Sequence, residues 1–138
     1  MIVGIAVLAS NAVAGAWGVG SWLRGVPSAT FWWLLRVAQV TVVVQVIIGV
    51  LLLARGASAP DGLHTAYGIA LLVVAMVSEG TRLGAAQRIL EEVPDLDALD
   101  RSEQIALARR VSLAELGVMT IGVLLVVTLA LRAYQTGG

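Results

Sequence analysis

Four apolar runs, roughly residues 2–23, 31–54, 63–82 and 113–133, take up most of the 138-residue chain, and each is long enough to cross a bilayer. A helix needs about 20 mostly apolar residues to traverse the ~30 Å hydrocarbon core. Valine and isoleucine crowd the second and fourth runs, a composition that in water would also suit buried strands. Length decides for helix. Strands rarely exceed about ten residues, and an open sheet edge leaves backbone groups unsatisfied in lipid. The expected architecture is all-α with no β-sheet: a single integral-membrane domain, 1–138, of four transmembrane helices in an up-and-down bundle. Composition agrees, with 59% hydrophobic and 13% charged residues, against about 25% charged in ordinary soluble domains. Nine arginines balance nine acids, and a zero net charge excludes a nucleic-acid binder, which needs an excess of cations. The absence of cysteine excludes disulfides, thiolate metal sites and cysteine nucleophiles.

Helix-breaking residues separate the runs. Gly25, Pro27 and Ser28 lie between the first two, and 56–62, with Pro60 and Asp61, between the second and third. The connection 83–112 holds most of the charge: Arg88, Glu91, Glu92, Asp95, Asp97, Asp100, Arg101, Glu103, Arg109 and Arg110. Pro94 should break it, so that 84–93 prolongs the third helix and a helix begun at Ser102 runs into the fourth.

Orientation follows from the arginines. Seven (Arg24, Arg36, Arg82, Arg88, Arg101, Arg109, Arg110) fall on the side of loops one and three, and two (Arg55, Arg132) on the other. The positive-inside rule then predicts a multi-pass protein of the cell's inner membrane with a cytoplasmic 83–112 connection and both termini outside. A cleavable signal peptide is the competing reading of the first run, through Ala12-Val13-Ala14. The run lacks a positive n-region and continues apolar to Leu23, which favours a span.

The polar residues within the runs are the candidates for function. Asn11, Gly15, Gly18 and Trp22 share a face of the first span, continued by Gly4 and Leu8, with Ala14/Gly18 and Ala16/Gly20 as small-xxx-small pairs. Close packing inside the bundle is the expected use, with Asn11 hydrogen bonding between helices. Phe31, Trp32 and Trp33 read as an interfacial aromatic belt. Arg36 and Gln39 mark one face of the second span, Gln45 and Gly49 another, which suggests protein contact on both sides. His64, Gly68, Leu71, Ala75 and Glu79 form one stripe of the third span. His64 and Glu79 are about 22 Å apart along the helix axis, so they cannot form one site. Glu79 should pair near the inner surface, where Arg36, Arg82, Arg110 and Glu115 reach the same level. An intramembrane carboxylate is a functional candidate by default, but a cluster of guanidiniums makes a structural ion-pair network the plainer expectation. His64 is the one residue able to titrate near neutrality or ligate haem iron. It is equally suited to a hydrogen bond from the membrane interface to a loop carbonyl.

Patterns such as GxSxG, the P-loop, HExxH and GxGxxG on a strand are absent, so no catalytic or metal-ligating residues are nominated. Gln45-Val46-Ile47-Ile48-Gly49-Val50-Leu51, then Pro60 and Leu63-His64-Thr65-Ala66-Tyr67-Gly68, resemble one four-helix half of haem A synthase. There a Gln-x-x-x-Gly helix is followed by an outer loop and a helix that opens on a haem-ligand histidine. The same stretch, with Arg132 and Thr136-Gly137, is similar to small four-helix membrane proteins of actinobacteria and related bacteria, a group without an assigned activity. The first resemblance implies His64 as an axial haem ligand. The paired histidines of the synthase halves are missing, since the first span offers Asn11 instead, so the synthase activity is not carried over.

The expected function is non-enzymatic: an accessory or assembly subunit of a larger membrane complex, or a small homo-oligomer, in a lipid bilayer. Two alternatives stay open. One is a haem- or quinone-associated redox protein using His64. The other is a small proton- or ion-coupled transporter using Glu79.

Overall fold

The computed structural model describes residues 2–56 and 62–136, and the side chains of 62–64 and 136 lie outside the described part. Four helices follow one another: α1 (Ile2–Leu23), α2 (Ala29–Ala54), α3 (Gly62–Glu91) and α4 (Arg101–Thr136). All four are long and apolar enough to cross a membrane, and no strand occurs among the described residues.

The helix ends follow local chemistry. Gly25 takes a left-handed conformation, φ +62°, and closes α1 with a paired cap. Its N–H donates to the Trp22 carbonyl, and the Val26 N–H to that of Ser21. This is the Schellman arrangement, which a residue with a Cβ adopts only with strain. Ser28 caps α2 by accepting from the Phe31 N–H at 3.2 Å, so α2 starts at Ala29, two residues before its apolar run. Before α4, Asp100 and Glu103 form a capping box. The Glu103 N–H donates to Asp100 Oδ1 and the Asp100 N–H to Glu103 Oε2, each at 2.9 Å. Reciprocal bonds of this kind satisfy otherwise orphaned donors of the first turn. Asp100 Oδ1 also accepts from the Ser102 hydroxyl. The Glu103 N–H, then the Ser102 hydroxyl, holds the Asp100 carboxyl below its usual range.

α1, α3 and α4 pack closely in antiparallel pairs, α1 on α4 and α3 on α4, while α2 lies along α1 and meets α3 only thinly. Small residues make the α4 seams tight. A Cβ at Gly18 would overlap Phe31 and the Thr120 hydroxyl, and one at Gly15 would lie 3.0 Å from Leu124. Trp22 sits on Gly117, and Ser78 of α3 sits on Gly122. The first-span face with Gly15, Gly18 and Trp22 is therefore the α1–α4 interface. Gly4 and Gly20 meet nothing, so the Ala16/Gly20 pair plays no part in packing.

The core has two layers. One comprises Ala14, Phe31, Leu35, Ala38, Leu116, Met119 and Val123, the other Val7, Val42, Leu71, Val126 and Ala130. Phe31 departs from the expected aromatic belt. It is fully buried, edge-on to Trp32 with ring centroids 5.4 Å apart, because Gly18 vacates the space it fills. Trp33, one position on, points outward. Protein does contact α2 on two sides, through α1 and through α3, but only along its first part. Every residue from Ile47 to Ala54 is exposed, because the bundle closes around α4 and leaves this half-helix beyond it.

Candidate functional site

The polar side chains of α2, α3 and α4 meet in one chain of charge-assisted bonds. Arg36 and Gln39 are one turn apart on α2, so they reach α3 together. Arg36 Nη1 donates to Gln39 Oε1 at 2.7 Å and to Glu79 Oε1 at 3.2 Å. Gln39 Nε2 donates to the same Glu79 oxygen at 2.7 Å. The other oxygen, Oε2, accepts from Arg82 Nε at 2.8 Å, an i,i+3 pair along α3. Arg82 Nη1 then donates to Glu115 Oε1 of α4 at 2.7 Å. Trp32 lies over the Arg82 guanidinium, 5.7 Å from its ring centroid, a distance at which the ring face attracts a cation.

Two cations and two anions thus cancel within the cluster, and both Glu79 oxygens are occupied. Arg82 is its centre. Its side chain is 19% exposed and serves both carboxylates, whereas Arg36 is 56% exposed. The cluster also reinforces a thin seam of the fold, since it ties α2 to α3, which meet over a short stretch. Of the residues the sequence places at this level, Arg36, Glu79, Arg82 and Glu115 come together, and Gln39, marked in the sequence only as sharing a face with Arg36, joins them. Arg110 does not join them. It pairs with Glu92 at 2.7 Å, farther along the prolonged hairpin.

Asn11 behaves differently from its expected role between helices. It is buried, and its Nδ2 donates back to the Val7 carbonyl of its own helix at 2.8 Å. The bond across the α1–α2 interface is made instead by Ser10 and Thr41, whose hydroxyls are 2.9 Å apart. Their signal was a hydroxyl on each helix, easily passed over because serine and threonine also bond to their own helix. Here each lies within reach of such a carbonyl, Val7 for Ser10 and Ala38 for Thr41. With one proton per hydroxyl, one of the two donates across the interface and the other to its own helix. Gln45 Oε1 is enclosed without a hydrogen-bond partner among the described residues, as is the Thr120 hydroxyl. The His64 side chain, and with it the haem-ligand expectation, lies outside the described residues.

Between the two core layers, Asn11, Leu35, Gln39, Val42, Ala75, Ser78, Met119, Gly122, Val123 and Val126 surround a void of about 20 Å³. That is the volume of roughly one water. No group of three or more histidine, cysteine or acidic side chains able to hold a metal ion occurs among the described residues. Compared with protein-family models, with curated proteins and with solved structures, the chain finds no match.

Proposed function

We propose that this chain is a non-enzymatic integral membrane protein, an accessory or assembly subunit of a membrane complex or a homo-oligomer. Its Arg36–Gln39–Glu79–Arg82–Glu115 cluster serves as a structural clasp. The hairpin of α3 and α4 faces the cytoplasm and both termini face outward across a cell's inner membrane, a reading supported by the seven-to-two arginine distribution. The observation that carries the clasp is the full engagement of Glu79 by three donors from two helices. Stripping such a carboxylate of its partners in a lipid-surrounded site is costly, and an ion-coupling group must do so in every cycle. The half-helix of α2 from Ile47 to Ala54 is exposed, a surface open to a neighbouring helix as much as to lipid.

Extraction in mild detergent, followed by sizing and identification of what travels with the chain, tests the subunit reading. Co-purification in a defined assembly is expected, and isolation only as a monomer would overturn it. A carrier working through Glu79 is the second reading, supported by the position of a carboxylate within a span. Glu79→Gln separates the two. A clasp loses thermal stability with any ion flux unchanged, while a carrier loses proton-driven flux in proteoliposomes.

A further inference from the structure

We propose that the tip of the α3–α4 hairpin, outside the lipid, is a docking groove for a basic amphipathic helix of a partner protein. At 1.5 Å per residue, the 30 residues of α3 and the 36 of α4 extend about 45 and 54 Å, well beyond a ~30 Å hydrocarbon core. The two helices are antiparallel neighbours joined by a short connection, so their excess length projects at the same end. Groups there face water, where bare apolar surface is unfavourable rather than solvated by lipid tails. Yet Leu90, Leu96 and Ile105 are exposed in this region. Val93 and Leu99 of the connection, with Glu103, Ala106, Leu107 and Arg110 of α4, line a shallow open groove of about 300 Å³.

The groove is held in shape rather than improvised. Arg110 ties α4 to Glu92 at one end. Gln104 Nε2 anchors the Leu99 carbonyl at 3.1 Å, and the Asp100–Glu103 capping box fixes the turn into α4. An apolar floor formed by the first turns of α4 and the connection before it suits a helix laid along α4, with apolar anchors at i, i+3 and i+4.

Charge selects the occupant. From 88 to 110 the chain carries Glu91, Glu92, Asp95, Asp97, Asp100 and Glu103 against Arg88, Arg101, Arg109 and Arg110, all of them exposed. The acids gather at the turn with Arg101 alone among them, while Arg110 is already paired with Glu92. An anionic lipid surface repels such a rim, which argues against the tip lying flat on the membrane. A helix with lysine or arginine on its polar face is attracted and steered to it. This inference rests on the subunit reading for the existence of a partner, but on residues that reading does not use.

The full chain in nanodiscs of zwitterionic lipid provides the test. Because it has no cysteine, Ala98→Cys allows a single fluorophore beside the groove. The chain is titrated with a short helical leucine–lysine peptide carrying one tryptophan, and the signal from empty nanodiscs is subtracted. Saturable quenching is expected, roughly tenfold tighter than for a scrambled peptide of the same composition. Leu107→Asn, and separately Ala106→Trp, which fills the groove, should each weaken binding roughly tenfold with helix content by circular dichroism unchanged. Equal binding of the scrambled peptide, parental affinity in both variants, or no saturable binding would each overturn the proposal. Loss of peptide binding from a chain that still co-purifies in an assembly removes the groove and leaves the subunit reading standing. A monomeric chain that still binds the peptide does the reverse.

Discussion

Arg82 is the single side chain on which most of the polar structure turns. It donates to Glu79 and Glu115 at once and lies beneath Trp32, so removing it takes from Glu115 its cationic partner and from Glu79 one of its two. Arg82→Met is expected to destabilise the fold by about 3–5 kcal/mol, read as a lowered melting temperature in detergent. Arg36→Met, at a largely exposed position, should cost about 0–1 kcal/mol. Equal losses from the two would count against Arg82 as the centre. Glycines divide in the same way. Gly18→Ala drives a methyl into Phe31 and the Thr120 hydroxyl and should cost about 1–3 kcal/mol. Gly20→Ala meets nothing and should be neutral, or stabilising by up to about 1 kcal/mol. Four members of the cluster, Arg36, Glu79, Arg82 and Glu115, were legible in the sequence, because rare intramembrane charges at one depth have few partners to choose from. The part taken by Gln39 and the absence of Arg110 were not. Nor were Asn11 and Phe31. Whether a buried amide bonds to its own helix or to a neighbour depends on ångström-scale packing, and an aromatic residue at an interface turns inward only where a facing glycine makes room.

Among the elements, the start of α4 is decided most locally. The Asp100 carboxyl is held below its ordinary range by the Glu103 N–H first and the Ser102 hydroxyl second. Because the folded-state value lies below that of the unfolded chain, its stabilising contribution is fully present above the ordinary aspartate range. It is lost as pH falls through the lowered folded value. Amide hydrogen exchange in the first turn of α4 should accelerate through that acidic window, and Asp100→Ala should give fast exchange at all pH values while the rest of the bundle is unchanged. A first turn equally protected in the variant would exclude the capping role. The helices themselves were plain in the sequence, as was the prolongation of α3 and α4 beyond their apolar runs on either side of Pro94. What periodicity missed was the uneven placement of α2. A span that is apolar on every side carries no record of which face meets protein and which meets lipid, since both environments accept valine and leucine.

At the scale of the whole molecule, four helices long and apolar enough to cross a membrane form a bundle organised around α4, with one polar cluster joining α2, α3 and α4 and a hairpin of α3 and α4 prolonged beyond their apolar runs. Sidedness has its own test. Leu96→Cys, alone in a chain without cysteine, should react with a membrane-impermeant maleimide only when the cytoplasmic face is accessible; labelling of intact cells would invert the topology. Bilayer crossing could be read from composition because lipid imposes one strong rule on the backbone. Partnership could not, because the surface α2 presents to lipid and the surface it would present to another helix are built from the same residues. The most direct measurement is therefore native mass spectrometry of the chain released from its own membrane in mild detergent. The expected result is a defined assembly, either a multiple of the 14.4 kDa chain or the chain in fixed ratio to another subunit. A spectrum containing only the 14.4 kDa monomer would contradict the proposed role.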